Sequence, residues 1–544
     1  MKKMLFLPAL LLLVPALCFA QWSTDPSVNN AINTGSGEQA IPKVATCTNS
    51  DTYIGFFSNE SGNYNVRLQR LDAQGNPYWA SGGILVSNHP QMTWLTDWDM
   101  TVDESGYAIL AFQDIRNGGN NNVVAYRIAP DGSFAWGADG IALSNSTAFD
   151  AAPKVVVTGS GNAVFAWQAD DVIIMQKVDA AGNLLWGAGG ITLTTPDTYS
   201  WPQLMPVGTD DVILKYFHDT GPGYSPTRHV YAQRYDSDGD PVWASPAVIS
   251  NAAGISAWTQ IFPMVNDGSD GFYIAWHDDR DNNMDASVYV QHISSTGSIL
   301  FQANGVEAAT PYGRERMYPQ LALPPGTTDI YVLWNEMDAD QNNRGLYGQK
   351  LSSSGSRLWP TSGKVFIELS GTDVYPFALR HSPTDVVAFY EESAGAGYHI
   401  RAMRIDANGD FVWTPGTRLM CSVNSAKVHP VANHYDNNQW IASWEDDRSG
   451  NSDIYAQNIQ LDGSLGPYAP QTGYIEGMVT LVGGSGDVTE VVVTAGDVSV
   501  YPDQTGFYSM EILHGTYDVT ASLAGYYPDT VFSVGVTIGQ TTTG

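Results

Sequence analysis

The chain has 544 residues, 54 of them Gly, and sets 25 Lys and Arg against 56 Asp and Glu for a formal charge of −31. That charge, with no Lys/Arg run anywhere, excludes nucleic acid and disfavours anionic membranes, because phosphate binding needs a basic face. A hydrophobic fraction of 43% excludes a disordered acidic chain and is enough to fill large cores.

Lys2 and Lys3, an apolar run over Leu5–Leu17 and the small-residue end Cys18-Phe19-Ala20 read as a signal peptide over residues 1–20. The run is too short to cross a hydrocarbon layer of about 30 Å as a helix. Leu17 stands where a lipobox carries a small residue, so export in soluble form is expected, to the cell surface or beyond it. No later segment reads as transmembrane. After cleavage only Cys47 and Cys421 remain, which excludes a disulfide scaffold and a cysteine-based metal site.

From there the chain repeats. Arg70-LDAQGNPY-Trp79 recurs as Arg127-IAPDGSFA-Trp136, Lys177-VDAAGNLL-Trp186, Arg234-YDSDGDPV-Trp243, His292-ISSTGSIL-Phe301, Lys350-LSSSGSRL-Trp359 and Arg404-IDANGDFV-Trp413. An eighth copy, Asn458-IQLDGSLG, keeps the turn and lacks the aromatic. The eight turn glycines, from Gly75 to Gly463, are spaced by 57, 50, 57, 58, 58, 54 and 54 residues.

Each period predicts four antiparallel strands. The first usually follows a proline, as in Pro42-KV and Pro319-QLAL; the second is apolar and ends in an aromatic, as in Phe272-YIAW; the third alternates, as in Val288-YVQHI; the fourth carries the tryptophan. Four-stranded units of this length fit propeller blades. Trp22-STDPSVNNAIN resembles the tryptophan strand that the last copy lacks, and supplying it would close the ring and remove an open edge. The expectation is an all-β chain: an eight-bladed β-propeller over 21–467, a linker over 468–473 and a small β-sandwich over 474–544.

The last segment is rich in Val, Thr and Tyr with glycine turns. Gly477-x-Val479, Val491-x-Val493, Gly506-x-Tyr508, Gly515-x-Tyr517-x-Val519 and Gly525-Tyr526 resemble the carboxypeptidase regulatory-like domain, a seven-stranded sandwich, over about 70 residues. That resemblance implies a non-catalytic accessory of an exported protein. The propeller turn resembles the tryptophan-docking motif of the eight-bladed quinoprotein dehydrogenases, although two residues rather than three separate Asp72 from Gly75. It also resembles the Asp-box of sialidases, with a Gly-to-Trp spacing one residue longer. Neither resemblance brings its family's cysteine pair, arginine triad or nucleophilic tyrosine, so the tryptophans read as packing between blades.

No nucleophile elbow, His-Glu-x-x-His or phosphate loop is present, and no residue is assigned as catalytic. Two features suggest sites. Acidic loops after the second strands place Asp279, Asp281, Asn283 and Asp285, and Asp338, Asp340 and Asn342, at every second position, the spacing of the first half of a calcium loop. The competing reading is a β-turn with Asp114/Arg116, Asp279/Arg280 and Asp447/Arg448 ion pairs. Aromatic loops ahead of the first strands carry Trp94, Trp98, Tyr199, Trp201, Trp258, Tyr312, Tyr318 and Tyr375, which would ring one mouth of the channel and stack on sugars.

These features lead to the expectation of an exported, non-enzymatic scaffold binding carbohydrate or another extracellular polymer. The alternative is an extracellular polysaccharide hydrolase or lyase with carboxylates at the mouth, and a third reading is a protein-interaction propeller. A deep pocket joining an aromatic ring to a histidine or carboxylate would favour the enzyme; a broad, shallow mouth would favour binding.

Overall fold

The computed structural model describes residues 21–60, 62–91, 97–223, 225–256, 259–281, 285–310, 313–467, 472–496, 498–537 and 539–543. The segment expected to be a signal peptide lies outside the described residues. Two compact units divide at Pro467 and Tyr468. The first is all-β and propeller-like, and its described strands form eight four-stranded antiparallel sheets. In seven sheets the strand order follows the chain. The eighth joins Lys427–Ala432, Gln439–Asp446 and Asp453–Gln460 to Asn30–Asn33 from the other end of the chain, the strand that the sequence assigns to this place.

The first strands are Gln39–Thr46, Asp99–Val102, Asp150–Val157, Thr198–Val207, Met264–Asn266, Arg314–Ala322, Val374–His381 and Lys427–Ala432. Each touches the next, and the eighth touches the first, which closes a ring of inner strands. The second strands are covered on both faces by neighbouring sheets. Phe272–Asp278 is buried at all seven positions, which is why these strands read as continuous apolar runs.

What joins the sheets is the turn motif. The aromatic of each repeat lies on the turn glycine of the next: Trp22 on Gly75, Trp79 on Gly132, Trp136 on Gly182, Trp186 on Gly239, Trp243 on Gly297, Phe301 on Gly355, Trp359 on Gly409 and Trp413 on Gly463. Trp22 donates its indole N–H to Ala73 O (3.1 Å) and Trp243 donates to Ser295 O (2.9 Å), both within the receiving turn. A glutamine in the third strand fixes the aromatic's own backbone. Gln233 accepts from Trp243 N–H (3.3 Å) and donates to Trp243 O (3.1 Å), and Gln291 and Gln349 accept in the same way from Phe301 and Trp359.

Gly297 is required twice over: its φ is +80°, and a Cβ there would stand 2.6 Å from the Trp243 ring. Gly297→Ala is therefore expected to cost about 2–4 kcal/mol, from left-handed backbone strain plus overpacking. Gly355→Ala, whose Cβ would meet Phe301 at 3.1 Å, should cost less. Urea midpoints of the two variants measure the difference; equal losses would show that the backbone alone sets the cost.

The described strands of the second unit number seven in two sheets, one of three strands containing Thr472–Met478 and one of four containing Gly515–Ser522. Ile475, Val493, Met510 and Val519 share one core between them.

Candidate active site

In several first strands a bulge falls at the residue before the proline, and that residue takes a left-handed backbone: Ile41 (φ 51°), Ala152 (50°), Trp201 (49°), Tyr318 (56°) and His429 (50°). Side chains other than Gly rarely accept this conformation, and such strain accumulates at functional sites. In three sheets the second strand braces the entry to the next sheet's first strand, through the residue that follows its terminal aromatic. Gln168 accepts from Trp201 N–H (3.3 Å), Glu445 accepts from Ile41 N–H (2.7 Å), and Asn335 donates to Val374 O (2.6 Å).

In the fifth and seventh sheets the same position holds His277 and Glu391. His277 is buried, and its ring lies 5.9 Å from that of Tyr318. Its Nε2 meets Thr259 Oγ1 at 3.4 Å, and its Nδ1 has no partner among the described residues. Burial moves its titration down to about 4, so the imidazole is neutral at physiological pH. Tyr318 is 47% exposed and stands edge-on to Tyr375 at 6.0 Å.

His277 and Tyr318 open into a cavity of about 890 Å³ that runs along the inner strands of sheets five to seven. Phe262, Met264 and Phe377 supply apolar wall, and Arg380, His381 and His434 lie along it. Arg380 crosses to the eighth sheet, donating to Ala432 O (2.7 Å) and Asn433 O (3.0 Å). No carboxylate pairs with it among the described residues. Burial lowers its titration to about 10, so it remains a cation at neutral pH. Its charge, together with burial, holds His434 down to about 3, and burial lowers His381. Among the described lining residues there is no Asp or Glu. In a chain of net charge −31, this cavity carries an uncompensated positive charge.

The sequence-selected aromatics divide. Tyr318 lines the cavity and Tyr375 stands beside it. Tyr199 sits in a cluster of its own, 4.8 Å from Tyr216 and 5.3 Å from His218. Trp201 packs against the core between sheets four and five. Trp98 is fully buried and donates to Ile41 O (2.8 Å), so it packs sheet two on sheet one and offers no face to a ligand. Trp94, Trp258 and Tyr312 lie outside the described residues, as does Asn283.

The acidic loops close as turns. Asp338 accepts from the backbone N–H of Asn342 (2.8 Å) and of Asn343 (3.2 Å), so the loop closes as a turn on Asp338. Asp285 accepts from Gly313 N–H (3.1 Å), while Asp281 and Asp340 are exposed loop residues. No group of three or more His, Cys, Asp or Glu among the described residues could hold a metal ion. Arg116 pairs with Asp114 (2.6 Å) as expected. Arg280 pairs with Asp278 rather than Asp279, and Arg448 with Asp446 rather than Asp447 (both 2.6 Å). The strand-final carboxylate wins because it also accepts the indole N–H two residues earlier, from Trp276 (2.8 Å) or Trp444 (2.9 Å).

No family model and no curated protein matches the sequence. Among solved structures the chain resembles all-β, propeller-like enzymes that act on polysaccharides. They include polysaccharide lyase Uly1, at 8% identity over 80% of this chain and 92% of that one, with a TM-score of 0.41. A PL25 ulvan lyase matches at 10% identity over 82% and 96%, with a TM-score of 0.40. An α-L-arabinanase from Penicillium chrysogenum matches at 13% identity over 57% and 94%, with a TM-score of 0.33. At these values the likeness is one of fold.

The expectation of a non-enzymatic binding scaffold is corrected at this point. The mouth holds a cavity of about 890 Å³ in which the Tyr318 ring meets the buried His277, the arrangement expected to favour the enzyme over the scaffold. The solved structures that the chain resembles in fold also include a family-43 glycoside hydrolase and a prolyl oligopeptidase. Among the described residues no helix is long and apolar enough to cross a membrane.

Proposed function

We propose that the chain is an exported polysaccharide lyase, an eight-bladed propeller over 21–467 that cleaves an acidic polysaccharide in its channel cavity and carries a sandwich accessory at 474–544. The observation behind this reading is the uncompensated Arg380 cation in a cavity that also holds a neutral buried histidine. A two-carboxylate hydrolysis finds no carboxylates among the described lining residues. Proton abstraction next to a carboxylate needs what the cavity has: a neutral base and a positive charge to draw the acidic sugar in and stabilise the carbanion-like state.

In the reaction His277 removes the proton on the carbon bearing the carboxylate. The bond from the adjacent carbon to the glycosidic oxygen breaks, a double bond forms between the two carbons, and the oxygen leaves with a proton. No water is consumed. Tyr318 offers its ring to the sugar face.

The test is incubation of the mature protein with uronate-bearing and neutral polysaccharides. Conjugated unsaturated ends, seen by ultraviolet absorbance, are expected from the acidic polymers alone. New reducing ends without that absorbance would mean hydrolysis and would overturn the reading, as would no cleavage at all. Because the whole chain is strongly negative, it repels a polyanion at long range. Raising ionic strength toward about 0.1 M, where the screening length is about 10 Å, should therefore raise kcat/KM. A monotonic fall with salt would count against a net repulsive encounter.

A further inference from the structure

The reading above makes the buried His277 ring a base, and a base works only when one ring nitrogen is held bare toward the substrate. On this ring Nδ1 is buried without a partner among the described residues, so Nε2 is the atom that can act. Its polar contact is Thr259 Oγ1 at 3.4 Å, and Thr259 and His277 line the same cavity. Thr259 belongs to no strand. It lies in the segment that leads into sheet five, ahead of Met264–Asn266, so its place must be fixed from elsewhere.

Sheet four fixes it, at two points. Arg228, on the third strand Thr227–Tyr235, donates from Nη1 to Thr259 O (2.8 Å). Three residues further on, Gln203 of the first strand donates to Phe262 O (2.8 Å) and accepts from Phe262 N–H (2.9 Å). Arg228 is itself buried and is set by two parallel bonds to Asp219 (2.8 and 2.7 Å), which also accepts from Ser200 Oγ (2.7 Å). A guanidinium locked onto a carboxylate presents its remaining N–H at a fixed place. This arginine is used differently from those of other sheets. In sheets two, five and eight the arginine stands two residues beyond the carboxylate that ends the second strand, as in Asp114/Arg116, Asp278/Arg280 and Asp446/Arg448. In sheet four it comes from the next strand and reaches the entry of the following sheet.

We infer that Thr259 is the positioning residue of His277, with Arg228 as the strut that holds Thr259. The inference rests on the lyase reading. Contacts run from Asp219 through Arg228 and Thr259 to His277, from a rigid sheet to the nitrogen that reacts. Before substrate binds, the Thr259 hydroxyl donates to Nε2, which keeps that nitrogen bare and turned to the cavity and leaves the ring proton on Nδ1. When the sugar enters, the hydroxyl rotates away and Nε2 takes the proton from carbon. A contact of 3.4 Å is at the long end for a hydrogen bond and is easily surrendered.

The test uses the mature protein with T259V, which removes the hydroxyl and keeps the branched shape, and T259S, which keeps the hydroxyl. On an acidic polysaccharide T259V should lose about 10- to 10²-fold in kcat with KM little changed, and T259S should recover most of the loss. Added to H277Q, T259V should cost nothing further, because the base it positions is gone. Nitrogen NMR of the His277 ring at pH 7, assigned by its disappearance in H277Q, should show one neutral tautomer, protonated at Nδ1, in the wild type. In T259V it should show a mixture of both tautomers.

Equal losses in T259V and T259S would make the side chain a packing group, and a raised KM with kcat intact would make it a substrate contact; either result overturns the inference. An unchanged rate in T259V, or a T259V ring with the wild-type tautomer, would do the same. A wild type that cleaves no acidic polysaccharide would overturn the lyase reading, while the ring spectra, which need no substrate, would still decide whether Thr259 orders His277.

Discussion

His277→Gln is expected to abolish cleavage while leaving the fold intact. The substitution places at sheet five the residue that sheet three uses at the same position, where Gln168 accepts from the backbone of Trp201. An amide cannot act as the base, so kcat should fall by about 10²–10⁴-fold. The pH dependence should change in a defined sense. His277 titrates at about 4 in the folded chain against an ordinary histidine value near 6.5. Wild-type activity should therefore hold down to about pH 4 and fall below it, as the base takes up a proton.

Stability gives a second readout. Between pH 6.5 and about 4 the unfolded chain binds a proton at this residue and the folded chain does not, so stability falls with falling pH across that window, by about 3 kcal/mol in all. His277→Gln should flatten that part of the curve. Denaturant titrations at pH 7 and pH 4.5 compare the two proteins. A variant that retained activity would remove His277 from the chemistry, and one that unfolded at pH 7 would show the imidazole to be structural.

The fold was legible because the repeat carries its own interface. An aromatic that must dock on a left-handed glycine leaves both residue types at fixed spacing, and the place of Trp22 as the tryptophan that the last copy lacks was visible before any strand was placed. The site was legible in part. Tyr318 and Tyr375 stood out as aromatics ahead of first strands. His277 did not, because its position is defined by register: only the alignment of second strands on their terminal aromatics puts His277, Asn335, Glu391 and Glu445 in one series with Gln168. That alignment was available in the sequence. Arg380 had no such signal, since its meaning lies in the absence of a counter-charge. The acidic loops carried two readings because alternating Asp and Asn serve an Asx-type turn as well as an ion; Asp338 accepts from the amides of Asn342 and Asn343.

Lys215→Met is expected to stabilise the protein by about 1–3 kcal/mol, the cost of leaving a buried polar group unsatisfied. Lys215 lies in the second strand of sheet four, fully buried, and its Nζ has no hydrogen-bond partner among the described residues. The ammonium position is 3.5 Å from the Phe217 ring centroid and 4.7 Å from that of Phe262. A cation over aromatic faces gains about 0.5–2 kcal/mol. Removal from water costs an unpaired ammonium more than that, and Arg228 nearby adds repulsion that Asp219 does not cancel. Burial therefore holds the amine well below its ordinary titration.

The sign of the pH effect follows. Between that lowered value and about 10.5 the unfolded chain binds a proton that the folded chain lacks, so Lys215 makes stability rise with pH over this window. Methionine fills the same volume with no proton to bind. The variant should be more stable at pH 7, and its advantage should shrink toward pH 10. An advantage that did not change with pH would mean that the amine is charged in the folded chain and is paired in a way that these contacts do not provide. Phe262 connects this position to function: it packs under Lys215 on one side and lines the cavity on the other. Any shift of its ring in Lys215→Met should appear in KM before kcat, because His277 lies on a different strand and keeps its own contacts.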